Sequence, residues 1–298
     1  MGAIRHIWGI VRLMRPLQWV KNMFVFLPVF FGGEMDNGRL LVQSAIAFVS
    51  FCLASSAVYC LNDTMDAEAD RQHPSKRHRP IASRLVKKWE AIVLMILLAA
   101  ASSAVLMLLP ADTRAMSTLF LAGYLVLQVL YCLWLKNHAI IDMLSVAAGF
   151  VLRVGMGGAA CHIRVSQWIV LMTFLLALFL VLSKRRDDVL IYQETGEKPR
   201  RNTNRYNIEF VNQVTVLVTA TALVCYIMYT VSPEVTERLR CDYVYLTSAF
   251  VLAGLIRYIQ LMVVDQKSGS PTAILWHDRF IYCCVGGWIL SFAAIIYL

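Results

Sequence analysis

The densest chemistry in the chain is the run Asn62-Asp63-Thr64-Met65-Asp66-Ala67-Glu68-Ala69-Asp70. Asp63, Asp66 and Asp70 stand at i, i+3 and i+7, so on an α-helix they share one face. Like charges four residues apart repel, and such a face is stable where cations answer it. Mg²⁺ is one answer, because it takes oxygen ligands and is commonly held by one or two carboxylates together with substrate phosphates. A solvated acidic helix end is the other. The continuation His73-Pro74-Ser75-Lys76-Arg77-His78-Arg79-Pro80 sets three cations directly after the acids. Acids and cations together suit a metal-diphosphate site, with Lys76, Arg77 and Arg79 neutralising phosphate oxygens, arginine as a fork and lysine as a point charge. Charge that fixes membrane topology explains any single one of these cations equally well. His73 and His78 have no partners at zinc-ligand spacing.

Mixed charge returns at Lys184-Arg185-Arg186-Asp187-Asp188 and continues through Glu194, Glu197, Lys198, Arg200 and Arg201 to Arg205-Tyr206. A third cationic element is Arg15-Pro16-Leu17-Gln18-Trp19-Val20-Lys21-Asn22, where Trp19 as an interfacial anchor and Lys21 as a snorkelling side chain are the plainer alternatives. Arg153 lies inside an apolar run. A charge there is costly and faces a bundle interior or a polar cavity, which makes it a functional candidate without an assigned partner. Asp142, near the end of the same run, reads as interfacial.

The elements that must position these residues are membrane helices. Of 298 residues 59% are hydrophobic and 16% charged, against about 45–50% and about 25% in ordinary soluble domains. A hydrocarbon core about 30 Å thick needs roughly 20 apolar residues per helix. Eight segments satisfy this, approximately Leu40 to Leu61, Ala91 to Leu109, Ala115 to Leu135, Ala139 to Ala160, Ser166 to Ser183, Val211 to Val231, Tyr243 to Val264 and Phe280 to Leu298. A ninth, first in order, is Leu17 to Gly33, which spans only with Gln18, Lys21 and Asn22 at its wet end. Late and without a small-residue cleavage site, it reads as a retained segment rather than a signal peptide. Residues 62–90 and 184–205 carry seven Lys/Arg each, whereas the connections on the opposite side hold only Arg39, Arg114, Arg164, Arg238 and Arg240. The positive-inside rule then puts the N-terminus and both charged loops in the cytoplasm.

No stretch suggests a separate soluble domain, so residues 1–298 read as one all-α membrane domain with functional loops at about 62–90 and 184–208. The loops follow the second and sixth segments. That spacing hints at two related four-helix halves plus one helix, with both loops rimming one cavity. Of the eight cysteines, six lie in apolar runs and none forms a CxxC pair, so neither a disulfide scaffold nor a metal site is expected.

On these motifs the chain resembles the UbiA superfamily of intramembrane prenyltransferases, whose first signature, N-D-x-x-D-x-x-x-D at the end of the second helix, is matched by Asn62, Asp63, Asp66 and Asp70. The resemblance covers essentially the whole chain in segment number and loop placement. It implies nine transmembrane helices in a UbiA-like bundle, a Mg²⁺-diphosphate site and a lipid-accessible cleft in the plasma membrane, with no nucleic-acid partner; a homo-oligomer is compatible with it. The usual second D-x-x-x-D is absent, and Lys184-Arg185-Arg186-Asp187-Asp188 stands in its place. With R-P-x-Q-W-x-K-N at Arg15 to Asn22 and H-P-x-K-x-x-R-P at His73 to Pro80, this is similar to the decaprenyl-phosphate phosphoribosyltransferase branch.

That branch implies transfer of 5-phosphoribosyl from 5-phosphoribosyl 1-diphosphate to a polyprenyl phosphate, with loss of pyrophosphate, toward cell-envelope glycolipid precursors. A phosphate monoester is already anionic at pH 7, so the chemistry needs charge stabilisation rather than a strong base. The resemblance implies Asp63, Asp66 and Asp70 as metal ligands supported by Asn62. Asp188, with Asp187, would take a second metal or the ribose hydroxyls. Lys76, Arg79, Lys184 and Arg185 would hold the donor's phosphates, and Lys21 and Arg153 the lipid phosphate. Two alternatives stay open: a conventional UbiA enzyme joining a prenyl diphosphate to an aromatic acceptor, and a transporter.

Overall fold

The computed structural model describes residues 2–72, 76–196, 202–266, 274 and 277–297. His73, Pro74 and Ser75 of the first charged run, and Glu197, Lys198, Arg200 and Arg201 of the second, lie outside the described residues. The regular structure among those described is helical, with no strand. Sealing every backbone N–H and C=O inside a helix is what an apolar solvent demands, and eight helical segments are long and apolar enough to cross a membrane.

Besides these spans the described residues include the shorter helices α1 (Gly2–Met14) and α2 (Leu27–Gly32), which precede the first span, and α9 (Pro233–Leu239), between two later ones. The spans are α3 (Gly38–Gln72), α4 (Lys88–Leu106), α5 (Ala111–Leu133), α6 (Ile141–Ala160), α7 (Gln167–Thr195), α8 (Ile208–Thr230), α10 (Ser248–Val263) with the 3₁₀ turn Val244–Thr247 before it, and α11 (Arg279–Tyr297).

Two differences from the sequence expectations bear on the site. The helices carrying the charged runs do not stop where apolarity stops. α3 has 35 residues and α7 has 29, about 52 and 44 Å of helix, well beyond a hydrocarbon core of about 30 Å. Asn62 to Gln72 and Lys184 to Thr195 are therefore helical extensions rather than loops, which holds their charged side chains in fixed register. The segment expected as the first span is also not one α-helix. Residues Pro16–Phe26 form a 3₁₀ stretch that runs into α2. With a rise of about 2.0 Å per residue for 3₁₀ and about 1.5 Å for α, these residues cover about 31 Å.

The chain divides into two compact units. The first comprises residues 1–136 and 149–165, and the second residues 137–148 and 166–298, so α6 contributes to both. In the first, α3 packs on α4, α5 and the 3₁₀ stretch, around a core that includes Val25, Phe51, Leu121, Tyr124 and Met156. Gly157 permits this packing, since a Cβ there would fall 1.9 Å from the Val25 carbonyl oxygen. In the second, α7 packs on α8 and α10 on α11. Ser183 and Tyr258 share a 2.9 Å hydrogen bond, and Arg186 donates to Asn212 Oδ1 (3.0 Å) and the Met262 carbonyl (2.7 Å). Buried polar contacts of this kind stitch the membrane helices together.

Candidate active site

In the first unit the acidic face of α3 is answered by cations from three other elements. Arg15, held in a left-handed conformation (φ 52°) before the 3₁₀ stretch, donates through Nη2 to Asp63 Oδ1 at 2.5 Å. Its guanidinium also sits 4.7 Å from the centre of the Tyr59 ring, a cation–π distance. Arg79, just past the 3₁₀ turn Lys76–His78, donates through Nη1 to Asp63 Oδ1 (3.1 Å) and Asp70 Oδ2 (2.8 Å). Lys136, beyond the end of α5, donates to Asp66 Oδ1 at 2.7 Å. Asp63 and Asp70 are buried, and buried carboxylates need such partners. Asn62, the family motif's first residue, accepts from Cys132 Sγ at 3.5 Å.

The donor set fits a hard divalent cation. Asp63 Oδ2 is buried and without a hydrogen-bond partner among the described residues, an oxygen whose desolvation a metal ion would offset. Asp63, Asp66 and Asp70 do lie on one helical face, but among the described residues no three His, Cys, Asp or Glu side chains are gathered closely enough to hold a metal. As they stand, the acids are spaced along the helix by their positions in the sequence, and each is paired with a cation from another element.

Arg153, the intramembrane charge, is 6% exposed. It donates to Asn22 Oδ1 (2.8 Å), the Gly149 carbonyl (2.7 Å) and Tyr124 Oη (3.3 Å), and lies 5.0 Å from the ring centres of Phe51, Tyr124 and Phe150. Among the described residues no acid pairs with it, so neutral dipoles and aromatic faces carry the charge. Asn22 is held in turn by donating to Cys52 Sγ and Ser55 Oγ, both at 3.2 Å. Lys21, one residue earlier, is half-buried, as is Lys76.

The second unit holds a cluster of opposite design. Arg185 on α7 is buried, with Nε 3.1 Å from Asp142 Oδ2 and Nη1 hydrogen-bonded to Asp188. Asp142, expected at the interface, is fully buried. Tyr206 donates to Asp142 Oδ1 at 3.0 Å while its oxygen accepts the Ile140 N–H at 2.7 Å. Ile140 has φ 70°, an outlier for a β-branched residue, so the tyrosine ties down a strained turn. Burial, reinforced by the Asp142 charge, pushes the Tyr206 hydroxyl up to about 12 although the Ile140 N–H opposes the shift. Tyr206 therefore stays a donor at neutral pH. Lys184, Asp187 and Asp188 are half-buried on the same stretch of α7.

Sequence reasoning thus found the acids and missed how they are balanced. Arg15 and Lys136 were in plain view as cations at the ends of apolar segments, and their level in the membrane was the available clue. Nothing in the local sequence joins Tyr206 to Asp142, which are 64 residues apart.

Comparison with known proteins extends the picture from motif to whole chain. The decaprenyl-phosphate phosphoribosyltransferase of Mycolicibacterium smegmatis is 33% identical over 97% of this chain and 92% of its own. The protein of that name from Mycobacterium tuberculosis is 31% identical over 97% and 94%. Among solved structures, a UbiA homolog from Archaeoglobus fulgidus bound to GPP and Mg²⁺ superposes with a TM-score of 0.71 at 18% identity, covering 97% of this chain and 100% of that one. At that identity the likeness speaks for the fold. The model of the UbiA prenyltransferase family matches residues 24–193, more than half of the chain, and the protein belongs to that family.

Proposed function

We propose that this protein transfers the 5-phosphoribosyl group of 5-phosphoribosyl 1-diphosphate to a polyprenyl phosphate of the decaprenyl type, releasing pyrophosphate. The lipid phosphate oxygen bonds to the ribose anomeric carbon as the bond from that carbon to the diphosphate breaks, the electron pair leaving with pyrophosphate. The product, a polyprenylphosphoryl 5-phosphoribose, serves as a cell-envelope glycolipid precursor. The observation that carries this reading is Arg185. Where the family's second acidic motif would stand, the chain has a buried arginine held between Asp142 and Asp188, beside Lys184 and Arg186. Cations there suit two phosphorylated substrates better than one diphosphate and a neutral aromatic. The end-to-end identity with the mycobacterial relatives supports it.

Asp63, Asp66 and Asp70 are the residues that would hold Mg²⁺, with Asn62 beside them. Bound there, the ion supplies Lewis-acid neutralisation of the leaving diphosphate. The first cluster is balanced as it stands, three acids against Arg15, Arg79 and Lys136. Cations displaced from carboxylates become free to bind phosphate oxygens, so Arg79, with Lys76, would grip the donor once its acids are engaged. Lys184 and Arg185 hold donor phosphates as well, and Asp188 with Asp187 the ribose hydroxyls. Lys21 and Arg153 are assigned to the lipid phosphate. In this reading residues 17–33 make a ninth span, the N-terminus is cytoplasmic, and the site opens to the cytoplasmic face of the plasma membrane.

The test is incubation of the purified protein with Mg²⁺, radiolabelled 5-phosphoribosyl 1-diphosphate and polyprenyl phosphates of several lengths. Metal- and lipid-dependent label in the organic phase is the expected result. A folded preparation that transfers none, yet joins a prenyl diphosphate to an aromatic acceptor, would overturn the phosphoribosyl assignment.

A further inference from the structure

The N-terminal helix α1 has no part in either charged cluster, yet its surface is organised. Successive residues of an α-helix turn by about 100°, which sorts α1 into three strips. Gly9, Leu13, Ile10 and Met14 turn inward: Gly9 and Leu13 are buried and Ile10 and Met14 half-buried, packed with Ile81, Val86 and Ala91. Ile7, Val11, Ile4 and Trp8 form a continuous outward strip, with Ile4 66%, Ile7 60% and Trp8 68% exposed. Arg12 and Arg5, both exposed, border that strip on one side. The inner strip alone would anchor the helix; the outer one exposes large apolar side chains that a water-facing helix has no reason to carry.

The place where α1 is docked says what should cover this strip. His6 Nδ1 donates to the Leu85 carbonyl at 3.0 Å, and His6 Nε2 lies 3.5 Å from Glu90. A Cβ on Gly9 would meet Leu85 at 2.9 Å, so α1 lies tight against this segment. Leu85 to Glu90 is the polar threshold of α4, and from there α4 exposes Trp89, Ile92, Val93, Ile96 and Leu97, the surface it turns to lipid. α1 therefore lies beside the start of this exposed apolar face, and carries an exposed apolar strip of its own with arginines at its edge. Tryptophan and arginine suit the headgroup region, and a helix with one apolar and one cationic strip lies in the interface plane.

We infer that α1 is an interfacial helix that seats Ile4, Ile7, Trp8 and Val11 in the acyl boundary of the protein's own membrane, while Arg5 and Arg12 bind anionic lipid headgroups. It is tested with the full-length protein in nanodiscs, using nitroxide labels on Ile4→Cys and Ile7→Cys with Cys225, Cys241 and Cys283 changed to Ser. In phosphatidylglycerol discs, collision with oxygen is expected to exceed collision with a water-soluble nickel chelate several-fold at both positions. Changing to phosphatidylcholine, or adding Arg5→Gln with Arg12→Gln, should lower that ratio. Nickel dominance would put the strip in water and overturn the inference. Shielding from both reagents would overturn it in favour of a protein cover such as a second copy. A ratio indifferent to lipid charge and to both arginines would overturn the anionic-headgroup assignment.

Discussion

The polar ends of α3 and α7 solve the same problem with opposite signs. On α3 the helix supplies acids and other elements bring the cations: Arg15, Arg79 and Lys136 to Asp63, Asp70 and Asp66. On α7 the helix supplies the central cation, Arg185, and Asp142 and Asp188 answer it. The first arrangement is shared and replaceable, since Asp63 has two cations on one oxygen and a second oxygen without a partner among the described residues. The second differs in burial: Asp142 is fully buried, with its Oδ2 3.1 Å from Arg185 Nε though outside hydrogen-bond geometry, and its Oδ1 accepts from Tyr206. On the function proposed above, a cluster that takes up a metal has to give up partners, whereas one that offers a fixed positive charge to phosphate keeps them.

The largest expected effect strikes the exchangeable cluster. Asp66→Asn and Asp63→Asn should each reduce Mg²⁺-dependent turnover by about 10²–10³-fold, the scale of losing a positioned electrostatic group. A second readout separates binding from chemistry: Mg²⁺ should raise the thermal midpoint of the native protein and leave that of Asp66→Asn unmoved. Retained turnover in Asp66→Asn would reverse the roles given to the two clusters.

Stability should rank the clusters the other way. Arg185→Leu strands Asp142 in full burial and is expected to cost about 3–5 kcal/mol, whereas Arg15→Leu leaves Asp63 its Arg79 partner and should cost clearly less. Adding Asp142→Asn to Arg185→Leu should recover part of the loss, a coupling that a double-mutant cycle in detergent measures. Equal costs for the two arginines would dissolve the distinction. Smaller still, Tyr206→Phe leaves the Ile140 N–H and Asp142 Oδ1 without the hydroxyl and should cost about 1–3 kcal/mol. Its midpoint shift is expected to be the same at pH 7 and pH 9, because Tyr206 keeps its proton up to about 12.

What could be read beforehand divides along the same line. Apolar run length shows where a helix enters lipid, so eight spans were legible, and the three-four spacing of Asp63, Asp66 and Asp70 showed that they share a face. Apolarity says nothing about where a helix ends once it leaves the bilayer, so the extensions to Gln72 and Thr195 were read as loops. Spacing likewise registers neighbours only along one helix. Asp142, Arg185 and Tyr206 are brought together by tertiary packing, and a buried aspartate next to a membrane boundary has the same sequence context as an interfacial one. The mixed 3₁₀ and α path of residues 16–32 escaped for a related reason: hydropathy counts residues, whereas spanning depends on rise.

The smallest effect calibrates the two clusters by supplying an ordinary ion pair outside both. Asp278 caps α11 by accepting the Ile281 N–H at 3.0 Å, and its Oδ2 accepts from Arg257 Nε (3.1 Å) and Nη2 (2.7 Å). The Arg257 guanidinium, then the backbone N–H groups, hold its carboxyl below the usual aspartate value of 3.8 although partial burial opposes them. A carboxyl depressed in the folded state binds fewer protons there than in the unfolded chain. Its stabilisation is therefore complete above that ordinary value and is lost as pH falls through it toward the lower folded value. The pair is partly solvated, so the sum should stay near or below about 1 kcal/mol. Thermal midpoints taken from pH 6 down to about pH 3 should show a shallow loss that Asp278→Asn removes, while at pH 6 Asp142→Asn, acting on a wholly buried pair, lowers the midpoint by more. If Asp278→Asn proved as costly as Asp142→Asn, burial would not be what distinguishes the α7 cluster, and the contrast between fixed and exchangeable charge would have to rest on geometry alone.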